Sequence, residues 1–385
     1  MQYRELGKTG FKASLLGMGC MRLPYIDDDD MTKGVNRERA YEMIRYAVDK
    51  GVNYFDTAQG YHSKDSEAVL GEALEYEGMR EKVWITTKHP FWGPCEPDQI
   101  RRNVEATLKK LRTDYIDTLL MHGIGPGNWE NIKNWNIWGE FEKFRNEGLI
   151  RTIGFSYHGN FEHLKEVIPY YPWELCLLMH NILDVNREAT AEGIKMAAEH
   201  GIAVTIMEPL RGGGLCTSPK PVAAVYDSAA VQRTPTEWAF RFLADNPHVA
   251  SIPSGMSNME QLVQNLAIFE KKDMEPGCMG AEEHEVIVKA RKAYESIVTI
   301  PCTGCNYCMP CPQNVGIPNV LNLYNDGNRF EFFDQVRRSY MFARRGGRGA
   351  EKCTSCGLCS PKCPANIDIP KELQVAHEAL AGWEE

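Results

Sequence analysis

Two runs of cysteine near the end of the chain have the spacing of iron–sulfur ligands. Eight of the 13 cysteines in the 385 residues lie between Cys302 and Cys363. The run from Cys353 to Cys363 reads C-x2-C-x2-C-x3-C-P, and the run from Cys302 to Cys311 differs only in having two residues in its last gap. This spacing is typical of 4Fe–4S ligands, so we predict two 4Fe–4S clusters. The predicted ligands are Cys302, Cys305, Cys308, Cys311, Cys353, Cys356, Cys359 and Cys363.

The pairing of the two runs follows from their fourth cysteines. In bacterial two-cluster ferredoxins the fourth cysteine of a run ligates the other cluster. One cluster would then take Cys363 with the first three cysteines of the first run, and the other would take Cys311. A pair of structural zinc sites is the alternative, because four thiolates also bind zinc. Zinc motifs usually show paired C-x2-C hooks, which favours clusters here.

Five arginines lie within residues 337–348, between the cysteine runs of a chain whose net charge is −9. Residues 317–342 have apolar positions at helical spacing, and a basic, glycine-rich turn follows at 344–349. The arginines form either a solvated charge patch or a docking surface for an acidic redox carrier, such as a ferredoxin or a flavodoxin-like protein. They are Arg337, Arg338, Arg344, Arg345 and Arg348.

Ionisable side chains end three consecutive predicted strands in the first part of the chain. Asp56, Lys88 and His122 end the second, third and fourth strands, and Tyr61 follows Asp56 by five residues. A buried Lys88 paired with Asp56 is expected to lower the pKa of Tyr61, which starts at about 10. Tyr61 can then give a proton to a carbonyl oxygen as hydride reaches the carbon. His122 can orient and polarise that oxygen.

Short apolar runs alternate with amphipathic helical patterns over the first 270 or so residues, which predicts a (β/α)8 TIM barrel. No G-x-G-x-x-G motif follows the first strand, so a Rossmann fold lacks support. In such a barrel the strand ends that carry the ionisable residues share one face. A hairpin of 2–6 and 11–14 is expected to cap the opposite end. The predicted strands are 15–19, 52–56, 83–88, 116–122, 152–156, 175–181, 203–207 and 250–252. The predicted helices include 37–50, 96–111, 160–168 and 187–200.

The motifs around these residues resemble those of the aldo-keto reductases over about residues 1–270. The matching segments are YRELGKTG at the start, NYFDTAQGYH, ITTKH and YIDTLLMHG. The whole chain resembles the branch with a C-terminal ferredoxin-like domain. The resemblance implies a catalytic tetrad of Asp56, Tyr61, Lys88 and His122, and a barrel that reduces aldehydes or ketones with NADPH or NADH.

The resemblance also implies a nucleotide site at the same face. Ser156 and Asn181 match side chains that hold the nicotinamide amide, whereas Leu177 stands at the position of a glutamine and Tyr157 at that of an asparagine. No basic residue occurs from 249 to 265 to bind a 2′-phosphate, so NADP, NAD or a weakened nucleotide site stay open. The expected contacts are Gly19, Met21, Asp56, Ser156, Asn181, Pro209, Leu210, Arg211, Gly212, Ser254, Gly255, Ser257, Gln261 and Asn265.

Aromatic residues in the loops after the third and fourth predicted strands could wall a substrate or pack beneath a barrel helix. They are Phe91, Trp92, Trp129, Trp135 and Trp138.

The whole sequence sets the remaining expectations. We predict a barrel over 1–278, a connecting helix over 279–300 and a small α-helical ferredoxin-like domain over 301–385. The acidic balance argues against nucleic acid as a partner, and no run of about 18 apolar residues could span a membrane. The N-terminus is unlike a signal peptide, which favours the cytoplasm. The function is either a nicotinamide-dependent carbonyl reductase, a reductase fed by single electrons through the clusters, or a non-catalytic redox sensor.

Overall fold

The computed structural model describes residues 1–27, 33–91 and 95–382. Trp92 and the acidic residues 28–30 lie outside these ranges. The described chain divides into two compact units: residues 1–212 with 239–280, and residues 213–238 with 281–385. The domain boundaries at 278/279 and 300/301 stay a prediction.

Eight parallel strands close the barrel in the first unit, each paired with the next along the chain and the last paired with the first, which confirms the predicted fold. The last strand is longer than predicted, because its pairing with the first barrel strand continues from Ile252↔Leu16 to Gly255↔Gly19. The barrel strands are β3 (Leu16–Gly19), β4 (Tyr54–Asp56), β5 (Trp84–Pro90), β6 (Ile116–Ile124), β7 (Ile150–Tyr157), β8 (Leu175–Met179), β9 (Ala203–Met207) and β10 (Val249–Gly255).

A two-stranded hairpin covers the N-terminal end of the barrel. Strands β1 (Tyr3–Glu5) and β2 (Lys12–Ser14) pair antiparallel. Leu6 and Ala13 join a buried apolar cluster with Trp84 and Ala203, which begin β5 and β9, and the ring of Phe11 packs 5.0 Å from that of Trp84. The predicted hairpin cap is therefore confirmed, and this end of the barrel is filled with apolar side chains.

Helices alternate with the barrel strands and begin and end at recognisable signals. The first, α1, begins after Asn36, whose side chain accepts from the backbone N–H of Arg39. The third, α3, has proline at its first position and ends at Arg112 in the left-handed conformation. The helices up to residue 269 are α1 (Arg37–Asp49), α2 (Ser66–Leu74), α3 (Pro97–Leu111), α4 (Trp129–Trp135), α5 (Ile137–Asn146), α6 (Phe161–Val167), α7 (Thr190–Glu199), α8 (Lys220–Asp227), α9 (Pro235–Ala244) and α10 (Met259–Phe269).

The second unit contains four further helices around an apolar core. The helical spacing predicted for 317–342 is confirmed, and it is divided between two helices: the chain breaks at Glu331, which is left-handed, and Phe330 and Phe332 close around Gly214. The core is built by side chains such as Val320, Tyr340 and Leu373. These helices are α11 (Ala281–Ser296), α12 (Ile317–Phe330), α13 (Phe333–Arg345) and α14 (Ile369–Leu380). None of the helices in the described ranges is both long and apolar enough to cross a membrane.

Candidate functional site

Lys88 forms the centre of the proposed tetrad. It lies on β5 and is 1% exposed, and its Nζ donates to Asp56 Oδ1 at 2.6 Å, to the Thr57 carbonyl at 2.7 Å and to Tyr61 Oη at 3.2 Å. Asp56 ends β4, the neighbouring strand, and Tyr61 lies in the loop that follows it. Register places these groups together, because parallel strands end at one face of the barrel.

Charges within this group are set by burial and by Lys88. Burial raises the pKa of Asp56, and Lys88 opposes that rise. Burial lowers the pKa of Lys88, but the attraction of Asp56 and Tyr61 outweighs it, so the pKa of Lys88 lies above its ordinary value and the side chain is a cation. The second carboxylate oxygen of Asp56, Oδ2, is buried and has no hydrogen-bond partner among the described residues. That oxygen can accept from a bound hydroxyl.

The expected lowering of the Tyr61 pKa is wrong in sign. Burial raises the pKa of Tyr61, and the charge and hydrogen bond of Lys88 offset only part of that rise. The desolvation of a phenolate therefore outweighs the nearby cation. Tyr61 is protonated at neutral pH, which suits a group that donates a proton.

His122 completes the tetrad from β6. Its ring lies edge-on to that of Tyr61, with centroids 6.0 Å apart. Burial, assisted by the charge of Lys88, lowers the pKa of His122 to about 3. The imidazole is therefore neutral, and a neutral ring can donate a hydrogen bond to a carbonyl oxygen without adding a second cation beside Lys88.

Bare backbone and one arginine form a cradle where β3 and β10 meet. Gly19 and Gly255 are paired across the two strands. A Cβ at Gly19 would lie 3.3 Å from the carbonyl carbon of Ser254, and one at Gly255 would lie 2.7 Å from Cγ of Arg22. Sequence reasoning missed Arg22, because its neighbours are more than 230 residues away and only barrel closure brings them together. A dinucleotide that needs close backbone approach and a cation fits this cradle.

Other side chains that were predicted to contact the nucleotide form hydrogen bonds or ion pairs within the protein. The Asn181 side chain accepts from the backbone N–H groups of Leu183 and Asp184 and donates to Asp184 Oδ2. Arg211 Nη1 lies 2.5 Å from both carboxylate oxygens of Asp184. Ser156 Oγ accepts from the Gly123 N–H at 2.8 Å. The rim after β7, β8 and β9 is thus held by its own hydrogen bonds.

The helix after β10 begins at Met259. Asn258 is its N-cap, because Asn258 Oδ1 accepts from the N–H of Gln261. The Gln261 side chain in turn accepts from the N–H of Ser257 at 2.8 Å. Ser254 is buried and accepts from Asn265. Of the remaining predicted contacts, Met21 is exposed and Leu210 is buried, and Pro209 and Gly212 flank the pair Leu210 and Arg211.

The aromatic residues of the loops mostly pack against other rings. Phe91 is buried beside His89, with centroids 4.8 Å apart. Trp129 is 2% exposed and packs on Tyr170 and Trp138. Trp135 ends α4 and is half-buried. Packing beneath helices accounts for Phe91 and Trp129, and a substrate wall from these residues stays a prediction for Trp135 and Trp138.

Four cysteines of the predicted first cluster line one pocket of the second unit. Cys302, Cys305 and Cys308 are joined there by Cys363 from the other run. The remaining walls are apolar and are formed by residues such as Ile317 and Ile369. Four thiolates around an apolar pocket are the donor set that a 4Fe–4S cluster uses.

Backbone hydrogen bonds join the segment that follows Cys311 to the segment that precedes Cys353. The N–H of Asn314 donates to the Cys311 carbonyl at 2.9 Å, and the N–H of Gly316 donates to Arg348 at 2.9 Å. Arg348 precedes Cys353 by five residues. No three His, Cys, Asp or Glu side chains in the described ranges lie close enough to share a single metal ion, and a cluster holds its thiolates farther apart than one ion does.

Comparison with known proteins finds one family for the barrel region and another for the C-terminal cysteine region. Residues 15–276 match the model of the aldo/keto reductase family, and residues 301–367 match that of the 4Fe-4S dicluster domain. An uncharacterized oxidoreductase of Bacillus subtilis is 26% identical over 298 residues, which cover 69% of this chain and 90% of the relative. The NADH-specific methylglyoxal reductase of Escherichia coli is 26% identical over 238 residues, which cover 55% of this chain and 68% of that relative. The holo form of an aldo-keto reductase from Bacillus halodurans superimposes with a TM-score of 0.62 and 26% identity, over 76% of this chain and 97% of that structure.

Proposed function

The chain belongs to the aldo/keto reductase family and carries a C-terminal 4Fe-4S dicluster domain, and we propose that its barrel reduces an aldehyde or ketone with NADPH or NADH. It is an oxidoreductase by family. The observation that supports carbonyl reduction is the buried Lys88 ammonium, which lies 2.6 Å from Asp56 Oδ1 and 3.2 Å from Tyr61 Oη. This contact joins a protonated phenol to a cation whose pKa lies above its ordinary value.

Each of the four side chains has a distinct role in protonating the carbonyl oxygen. Tyr61 donates its phenolic proton to the carbonyl oxygen, and the charge of Lys88 stabilises the phenolate that develops. Asp56 keeps Lys88 charged in a buried site. Neutral His122 donates to the same oxygen and polarises the carbonyl group before the proton moves.

A nicotinamide dinucleotide supplies the hydride when it is bound. Gly19, Gly255 and Arg22 would hold it at the junction of β3 and β10, and Asp56 Oδ2 would accept from a hydroxyl. Arg22 would also supply a cation, which the segment 249–265 lacks. The relative in Escherichia coli is named as NADH-specific, and parallel titrations with NADH and NADPH decide which nucleotide this chain prefers.

Tyr61→Phe tests the role of the phenol. We expect kcat/KM for carbonyl reduction to fall by roughly 10²- to 10⁴-fold, the usual contribution of a general acid, while the Kd of the dinucleotide changes little. Tyr115→Phe is the matched control, because it removes a phenolic hydroxyl from the opposite end of the barrel and keeps the ring that Arg151 covers at 3.6 Å. Equal activity of Tyr61→Phe and the native protein would exclude this mechanism.

The hydrogen bonds within the rim after β7, β8 and β9 favour a second candidate function. Asn181 and Arg211 are held by Asp184, and Leu177 has no hydrogen-bonding side chain, so part of the nicotinamide and pyrophosphate contacts must be replaced. Under this candidate the barrel is reduced by single electrons that enter at the cluster domain. Such a route needs a flavin, a second protein or a radical-tolerant substrate, because one electron does not make a hydride. Turnover with reduced ferredoxin but not with NAD(P)H would favour it.

For the C-terminal domain we propose two 4Fe–4S clusters. Cys302, Cys305 and Cys308 would bind one cluster with Cys363. Cys353, Cys356 and Cys359 would bind the other with Cys311. The pocket shared by the first set and the hydrogen bonds near Cys311 support this division.

A further inference from the structure

The basic segment between the cysteine runs forms a surface with a defined position. We propose that Phe342, Arg345, Arg348 and Lys352, named the basic face, dock an acidic one-electron carrier protein beside the Cys311 and Cys353 segments. The inference rests on the dicluster domain and goes beyond carbonyl reduction. The docking site lies at one end of the domain, and the partner belongs to one chemical class, the acidic one-electron carriers.

Hydrogen bonds fix the basic face next to two predicted ligand segments. The N–H of Arg348 donates to Ala343 at 2.8 Å, which folds the turn back on the end of α13. The Arg348 carbonyl accepts from Gly316, and the Gly347 carbonyl accepts from the side chain of Asn314. Asn314 is itself bonded to the Cys311 carbonyl. A Cβ at Gly347 would lie 3.0 Å from Nζ of Lys352, the residue before Cys353.

The structure shows which of the five arginines are presented to solvent. Arg337 donates to the Ala379 carbonyl at 3.1 Å, and Arg344 lies 3.5 Å from Glu351. Both are partly buried, whereas Arg345 and Arg348 are exposed, as is Lys352. The predicted patch is therefore smaller than the sequence indicated, and it is shifted towards the second run.

Apolar side chains accompany these charges. Phe342 is 58% exposed and lies one turn before Arg345 on α13. Leu358, which directly precedes Cys359 in the second run, is also 58% exposed. Exposed aromatic and aliphatic side chains beside arginine are characteristic of protein interfaces, where the apolar group anchors and the charge orients.

Charge selects the partner. Residues 342–352 contain four basic residues and one acidic residue, within a chain that has 43 basic and 52 acidic residues. A local basic surface on an acidic protein attracts a carrier of strong negative charge and orients it, while the remainder of the chain repels it. One electron leaves the reduced carrier and enters the oxidised cluster domain, so the carrier is oxidised by one electron and no covalent bond forms or breaks.

Charge reversal tests the proposal in the full-length holoprotein. Arg345→Glu combined with Arg348→Glu is compared with Lys289→Glu combined with Lys292→Glu, which makes the same change in net charge on α11. The probes are a reduced acidic [2Fe–2S] ferredoxin and reduced methyl viologen. Anaerobic stopped-flow absorbance follows cluster bleaching, and calorimetry with oxidised ferredoxin measures binding without turnover.

We expect the ferredoxin rate constant of the Arg345/Arg348 variant to fall by about tenfold or more at low salt, with weaker binding and a reduced dependence on ionic strength. Reduction by methyl viologen should stay within about threefold, and the Lys289/Lys292 variant should resemble the native protein. Equal losses in both variants, or a native protein that neither binds nor oxidises the ferredoxin, would overturn the proposal. Binding of anionic lipid vesicles that requires Arg345 and Arg348, without ferredoxin binding, would assign the face to a membrane surface instead. Because bleaching and binding are measured without a carbonyl substrate, failure here is distinguishable from failure of the barrel chemistry.

Discussion

Replacing Lys88 by methionine removes the cation on which the proposed acid catalysis depends. At 3.2 Å from Tyr61 Oη, a unit charge stabilises a full phenolate by about 5 kcal/mol at an effective dielectric constant near 20. Asp56 opposes this effect in the native protein. In the variant Asp56 should become protonated, because burial raises its pKa and only Lys88 holds it down. Because the opposing charge of Asp56 is lost as well, we expect a net loss of about 3 kcal/mol, or roughly 10²-fold in kcat/KM.

The assay compares kcat/KM for carbonyl reduction with thermal stability in the same variants. A buried carboxyl group whose pKa is raised destabilises the fold at neutral pH, because the unfolded chain is free to ionise it, so Asp56→Asn combined with Lys88→Met should recover stability and stay as inactive as Lys88→Met. Lys12→Met, at the exposed hairpin, controls for the loss of a positive charge. If Lys88→Met kept activity within threefold of native, or if the double variant regained activity, the reasoning would be refuted.

Two further predictions follow from the pKa directions and the ligand sets. The rate of reduction should be flat through neutral pH and fall only as pH rises through the pKa of Tyr61, which lies above its ordinary value, since the acid must be protonated. His122 is already neutral with a pKa of about 3, so a limb near pH 6.5 that vanishes in His122→Asn would contradict the assignment. Cys363→Ala should lose about half of the bound iron and keep the other cluster by electron paramagnetic resonance, whereas Cys216→Ala, exposed and outside both runs, should keep all of it. Full iron content in Cys363→Ala would exclude this cysteine as a ligand.

Strand positions and the tetrad could be predicted because both depend on local pattern. Alternating apolar runs give the barrel, and Asp56 and Lys88 lie on neighbouring strands near one face, so their meeting required only the fold. Strand ends were harder to predict: β10 continues to Gly255 through its pairing with β3, a partner more than 230 residues away in sequence.

The balance between burial and charge at a side chain, and the partner that a charged side chain finds, could not be predicted from residue types. The sequence suggests that Lys88 lowers the pKa of Tyr61, yet burial outweighs that charge. Likewise, Arg211 looks like a pyrophosphate ligand until the fold places it against the buried carboxylate of Asp184. Arg22 was overlooked because no local motif marks it, and its position against Gly255 exists only in the closed barrel.

Deuterium transfer tests the central claim, hydride reduction in the barrel, most directly. The anaerobic holoprotein is given a carbonyl substrate with NADH or NADPH deuterated at the transferable position of the nicotinamide, in ordinary water, and the alcohol is analysed by mass spectrometry. Direct hydride transfer with Tyr61 as proton donor predicts one deuterium on the carbinol carbon, carried there from the nicotinamide. An alcohol without deuterium, formed when reduced ferredoxin is the only reductant that supports turnover, would contradict the account.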